Sequence, residues 1–279
     1  MGSSDYNLLN MTSVTAMFAR WKPRVVIHLA AVVGGIGANM REPGRFAYEN
    51  MQMGMNVLEA ARMFRDICCE KLVLAGTICM YPKFTKVPFK EEDIWLNYPE
   101  PTNAPYGMAK KMLFVMADAY RAQYGVKSVC LLPVNLYGPE DKSDHVIPDL
   151  MAKLAGAKFR KAPSVTLWGD GSPTREFLYR DDCARAFAIA AKDYDGGEWI
   201  NLGSGKEITI SELAYKIKRL VGYEGDILWD KTKPNGQPRR CLDTSRAKRL
   251  LGWEATTGFD DGLQKMWQWY STKDFCNKV

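Results

Sequence analysis

Three apolar runs of strand length, Arg24 to Leu29, Lys71 to Ala75 and Ser128 to Leu132, are separated by two long segments of helical period. Parallel strands need a crossover of a dozen or more residues, and a helix supplies it. The order β-α-β-α-β therefore points to a parallel sheet with helices packed on its faces. The first helix is expected from Pro43 to Phe64, where Phe46, Met53, Val57, Ala60 and Phe64 fall mostly on one face. The second is expected from about Pro105 to Tyr124, after a Pro-rich loop from Thr77 to Ala104. Beyond Pro133 the rhythm is less regular. Helices are expected near Ile147 to Ala157, from Asp181, near Ser211 to Val221 and around Phe259 to Tyr270, with short strands at Val165 to Trp168, Glu176 to Tyr179, Trp199 to Leu202 and Asp226 to Trp229.

Composition excludes several functions. The longest apolar stretch, Val25 to Ala38, is interrupted by His28 and glycines and falls short of the roughly 20 residues a membrane span needs. Met1-Gly2-Ser3-Ser4 lacks the charged and apolar regions of a signal peptide, so a cytoplasmic protein is expected. The net charge of +6 is spread along the chain, which argues against nucleic acid and is compatible with a small anionic substrate. Seven cysteines without a C-x-x-C pair, and two histidines, make a disulfide framework and a metal site poor expectations.

Tyr106-Gly107-Met108-Ala109-Lys110 places a phenol and an ammonium one helical turn apart. A neighbouring cation favours the ionised phenol and moves it toward the working range of an acid or base. Around it stand Val26-Ile27-His28-Leu29-Ala30-Ala31 at one strand end, Leu72-Val73-Leu74-Ala75-Gly76-Thr77 at the next, and Leu132-Pro133-Val134-Asn135-Leu136-Tyr137-Gly138-Pro139 after the third. This set resembles the extended short-chain dehydrogenases that modify nucleotide sugars. Within them, Val33-Gly34-Gly35-Ile36-Gly37-Ala38-Asn39, Cys79-Met80-Tyr81-Pro82-Lys83, His145-Val146-Ile147-Pro148, Trp168 to Phe177 and Gly236-Gln237-Pro238-Arg239-Arg240 are similar to the GDP-L-fucose synthase family.

That resemblance implies an α/β fold. A Rossmann-like doubly wound parallel sheet would occupy residues 1–140, and a smaller α/β substrate-binding domain residues 141–279, with some segments returning to the first. It implies an NADPH-dependent enzyme that epimerises C3 and C5 of GDP-4-keto-6-deoxy-D-mannose and then reduces C4. Thr77, Tyr106 and Lys110 match the family's catalytic triad, and Cys79 and His145 its proton-transfer pair. Ala30, Lys110, Pro133, Asn135 and His145 match positions that contact NADP(H). Asn135, Lys153, Trp168, Arg175 and Arg240 match positions that hold the GDP-sugar, with Arg239 a weaker candidate. A homodimer through the helices beginning near Pro43 and Pro105 is also implied.

The sequence departs from the family at the front. The strand, glycine-rich turn, helix and second strand that precede the segment resembling Asp5 to Asn10 are expected to be missing, and with them the cradle for the cofactor pyrophosphate. The remaining residues would then contact mainly the nicotinamide end, and the Arg24 to Leu29 strand would present an apolar edge. Thr77 followed by Ile78 replaces two serines while keeping the hydroxyl. The rival enzymatic reading, a GDP-mannose 4,6-dehydratase, needs a carboxylate just after Thr77, where Ile78-Cys79-Met80 supplies none. A catalytically impaired nucleotide-sugar-binding or regulatory homologue is the alternative outside enzymes. Gly34-Gly35-Ile36-Gly37 does not fit the dinucleotide fingerprint. Gly203-Ser204-Gly205-Lys206 fails the phosphate-loop pattern and is expected to be a strand-to-helix turn.

Overall fold

Asn10 caps the first helix, α1 (Met11–Trp21), by accepting the Ser13 N–H at 3.1 Å, and Lys22 ends it in the left-handed conformation. The hydrophobic pattern does not announce this helix, because only Val14 and Phe18 of it are buried. The computed structural model describes residues 4–141, 145–233 and 235–272; Met1 to Ser3 and Cys276 lie outside them.

Strand β1 (Val25–His28) leads through a loop to a short α2 (Ile36–Arg41), also not anticipated, and to α3 (Pro43–Met63). Pro43 opens α3 in its first turn, where a missing N–H breaks no helical hydrogen bond. Then come β2 (Lys71–Ala75), the long loop with 3₁₀ turns at Ile78–Met80 and Glu91–Trp95, α4 (Ala104–Tyr124), β3 (Ser128–Pro133) and the three-residue β4 (Asn135–Tyr137). The second half holds α5 (Val146–Phe159), β5 (Ser164–Trp168), β6 (Thr174–Tyr179), α6 (Arg180–Asp193), β7 (Ile200–Leu202) and β8 (Glu207–Thr209). It ends with α7 (Ile210–Val221), β9 (Asp226–Asp230), α8 (Ser245–Leu251) and α9 (Phe259–Thr272). The expected turn at residues 203–206 joins two strands, β7 and β8, and α7 begins only after β8.

The main sheet is parallel in the order β1-β2-β3-β7, so a strand from the second half completes the sheet begun by the first. β2 and β3 are covered on both faces and read as unbroken apolar runs for that reason. Among the described residues β1 stands at the edge, paired only with β2, and Val25 and Ile27 are exposed there. Two smaller sheets, β4-β6-β8 and β5-β9, lie in the second half. The buried side chains form two clusters. One joins α1, α3, α4, the main sheet, α6 and α8 around Leu72, Leu74, Phe114, Leu131 and Trp253. The other joins α5, α7 and α9 to the small sheets around Tyr137, Leu150, Phe177 and Ile217. No helix of the described residues is long and apolar enough to cross a membrane.

Candidate active site

A parallel sheet gathers ligands outside the carboxyl ends of its strands, and the expected site residues begin there. Ala30 follows β1, Thr77 follows β2 by two residues, and Pro133 ends β3. Asn50 on α3 pins the loop after β1, accepting the Val32 N–H and donating to the Val32 carbonyl, both at 3.0 Å.

Thr77 caps the 3₁₀ turn that carries Cys79, its Oγ1 accepting the Cys79 N–H at 3.2 Å. Its side chain also hydrogen-bonds the Tyr106 phenol. The Tyr106 ring meets Phe46 of α3 edge-on, with centroids 6.5 Å apart. The next residue explains how α4 comes so close: any Cβ on Gly107 would overlap the Cys79 carbonyl oxygen. Only glycine lets the helix N-terminus rest directly on the turn. Thr77, Cys79 and Tyr106 are thus brought together by one cap, one ring contact and one glycine.

The electrostatics of the phenol differ from the expectation. Burial is the main cause that pushes Tyr106 up, the nearby Cys79 adds to it, and the Thr77 hydrogen bond opposes it. Lys110 is not among the groups that bring the phenol down. Tyr106 is therefore a protonated phenol at neutral pH, suited to giving a proton. Lys110 is buried, and burial lowers its ammonium to about 8. His28, at the end of β1, is held to about 3 by burial and, second, by Lys110, so its imidazole is neutral. Its Nε2 has no hydrogen-bond partner among the described residues.

Two guanidiniums from the second half complete the cluster. Arg175 on β6 donates NH1 to the carbonyls of Thr174 at 2.7 Å and Gln237 at 2.6 Å. Burial, and then the adjacent Arg240, lower it to about 9. Neither Arg175 nor Arg240 forms an ion pair among the described residues, so two neighbouring cations stand in a largely desolvated place. Such an arrangement favours an anion. Arg240 is turned inward, with NH1 at 3.9 Å from Cys79 Sγ and Nε donating to Gln237 Oε1 at 2.7 Å.

The other expected residues stand on other segments. Arg239 pairs with Glu207 at 2.9 Å on the exposed side of its loop. Lys153 pairs with Asp149 one turn earlier on α5. Asn135 donates to the Glu176 carbonyl at 2.9 Å. Trp168 is exposed at the end of β5, with the Lys233 ammonium 5.6 Å above its ring. His145 is exposed in the cap position of α5, next to residues 142–144 outside the described set. A cavity of about 770 Å³ lined by Tyr137, Phe177, Tyr179, Tyr215 and Phe259 includes none of Thr77, Cys79, Tyr106 or Lys110.

Sequence reasoning missed Gln237 and Asn103, both buried beside Arg240, and Glu176, which is wholly enclosed. Glu176 also accounts for the glycine-rich turn: Gly205 N–H donates to its Oε1 at 2.6 Å, and a side chain on Gly203 would overlap that oxygen. The turn receives an internal carboxylate rather than a phosphate. Buried amides carry no local signature. The nearest signal was the position of Gln237 inside Gly236 to Arg240 and of Glu176 inside Trp168 to Phe177, segments already singled out.

Residues 4–203 match the family described as NAD dependent epimerase/dehydratase. The probable GDP-L-fucose synthase 1 of Oryza sativa subsp. japonica is 40% identical over 271 residues, covering 96% of this chain and 82% of that protein. Among solved structures, a GDP-6-OMe-4-keto-L-xylo-heptose reductase from C. jejuni superposes with a TM-score of 0.89 at 28% identity, covering 98% of this chain and 90% of that one. A GDP-L-fucose synthetase from Naegleria fowleri bound to NADP superposes at 0.87 and 26% identity, covering 98% and 84%.

Proposed function

The chain belongs to the NAD dependent epimerase/dehydratase family, and from that premise we propose that it converts GDP-4-keto-6-deoxy-D-mannose to GDP-L-fucose, by epimerisation at C3 and C5 followed by NADPH-dependent reduction at C4. The observation that carries this reading is the convergence of Thr77, Cys79 and Tyr106 at the N-terminus of α4.

The C4 ketone acidifies the protons on C3 and C5, so inversion needs a base on one face and an acid on the other. Cys79 takes these protons and His145 returns them on the opposite face. Tyr106, kept protonated by its burial, gives a proton to the C4 oxygen, and Thr77 hydrogen-bonds that oxygen. The residues suit NADP(H) at its nicotinamide end, because Lys110 offers a buried ammonium that forms no ion pair among the described residues and lies near His28 at the end of β1. Ala30, Lys110, Pro133, Asn135 and His145 would hold it, and when bound it supplies hydride to C4. Arg175 and Arg240 face the diphosphate, with Trp168, Asn135 and Lys153 at the GDP moiety.

Residues 1–140 form the cofactor domain in this reading and 141–279 mainly the substrate domain; the two apolar clusters support the division, with α6, β7 and α8 returning to the first. Free thiols suit a reducing compartment, here the cytoplasm. The chain pairs with a second copy through α3 and α4, whose Tyr48, Met63, Met112 and Val115 are exposed; sedimentation giving only the 31.5 kDa monomer would refute that pairing. In the activity assay, NADPH and the 4-keto sugar nucleotide should yield GDP-L-fucose. Tyr106→Phe should slow NADPH consumption by roughly 10²-fold or more, as expected for loss of a general acid. Undiminished consumption would remove Tyr106 from the reaction.

A further inference from the structure

Arg240 is 161 residues away from Cys79 in the chain, yet its guanidinium is directed at the sulfur on one side and fixed on the other two. NH1 lies 3.9 Å from Cys79 Sγ. Nε donates to Gln237 Oε1 at 2.7 Å, and NH2 donates at 3.1 Å to the Asn103 side-chain oxygen, with that amide oriented to accept. Both amides are themselves held. Gln237 Nε2 donates to the Pro82 carbonyl at 3.2 Å, in the loop just after the Cys79 turn. Asn103 is set by its backbone N–H on the Glu100 carbonyl at 3.1 Å, while the buried Glu100 carboxylate receives the Thr102 N–H at 2.9 Å.

We infer that Arg240, locked by Gln237 and Asn103, is a positioning residue that holds Cys79 as the thiolate base. A guanidinium has five N–H donors and no acceptor, so it meets sulfur only as N–H···S, and that contact strengthens when the sulfur carries charge. The planar fork, held at Nε and NH2, fixes where NH1 points. Two N–H groups of Arg240 remain for a substrate oxygen, so this role adds to its place beside the diphosphate. Gln237 also joins the two arginines: its carbonyl receives Arg175 and its side chain receives Arg240. One residue thereby connects the anion-binding cation to the base. The same negative sulfur favours a protonated Tyr106, which keeps base and acid distinct in one small space.

The inference rests on Cys79 being the base of the proposed reaction, and two readouts separate the claims. The first needs no substrate: the rate of iodoacetamide modification of Cys79, followed by mass spectrometry of its peptide from pH 6 to 10. Arg240→Gln should slow modification at neutral pH by about tenfold, the factor expected for one hydrogen bond to a charged group. Gln237→Met, which keeps the side-chain length and removes the acceptor, should slow it in the same direction. Both differences should close at high pH, where the thiol ionises unaided; a change in mere access would persist at every pH. Should Arg240→Gln fail to fold, Gln237→Met carries the same comparison. Rates equal to those of the unaltered chain across the range, or a deficit independent of pH, would overturn the inference. The second readout is deuterium entry from solvent at C3 and C5, which should fall in both variants. If Cys79→Ser left that exchange intact, the assignment of Cys79 as base would fail while the modification result would stand by itself.

Discussion

Gly107 shows how one residue sets the geometry of the site. It has ordinary helical surroundings on α4, and its requirement for glycine comes entirely from the Cys79 carbonyl pressed against it. Gly107→Ala should push the helix and the turn apart, with overpacking costing about 1 to 3 kcal/mol in urea unfolding and turnover falling more than stability alone explains. An alanine variant with unchanged stability and turnover would show that the contact is not needed. Local chemistry was largely legible here. Tyr106 and Lys110 lie a turn apart on one helix, so spacing alone paired them, whereas Thr77 and Cys79 joined them only through the family resemblance. Burial was not legible, and it reversed the expected direction for the phenol. The partners of Arg240 were equally hidden, since they come from loops that only the folded chain brings into contact.

At the scale of elements, a single carboxylate ties three segments of the second half. Glu176 on β6 accepts Gly205 N–H from the turn after β7 and Leu242 N–H, at 2.7 Å, from the loop that carries Arg239 and Arg240. Burial raises it to about 7, the backbone donors working against that rise. Its folded value lies above the ordinary value of 4.5, so the native state binds the proton more tightly than the unfolded chain. The stability this group contributes is present below that ordinary value and is lost as pH rises toward 7, with a magnitude on the order of 3 kcal/mol. Urea unfolding at pH 5 and 7.5 should show the loss in the unaltered chain. Glu176→Gln, which cannot ionise, should flatten it, and an identical fall in both proteins would contradict the assignment. Long periodic elements such as α3, α4 and α7 were readable to within a few residues, because their apolar stripes extend over several turns. α1, α2 and α8 were not, and β4 and β8 have three residues each, too few to display a period.

The whole molecule is organised by the return of the chain. β7 pairs in parallel with β3 through Leu131↔Ile200, Leu132↔Asn201 and Pro133↔Leu202, placing the second half beside the strand ends of the first. The β-α-β rhythm made the parallel sheet legible, whereas the return of later segments came only from the family resemblance and the strand that joins β3 was not legible, since short apolar runs do not say which sheet they join. The return matters because it delivers Arg175, Gln237 and Arg240 to a turn more than ninety residues earlier in the chain, and the proposed chemistry depends on that meeting. Deuterium entry from solvent into GDP-4-keto-6-deoxy-D-mannose is therefore the most direct measurement. Exchange is expected at both C3 and C5 with the unaltered chain, slowed at least about 10²-fold by Cys79→Ser at little change in substrate affinity, because serine gives scarcely any anion at neutral pH. Exchange in Cys79→Ser as fast as in the unaltered chain would contradict this expectation.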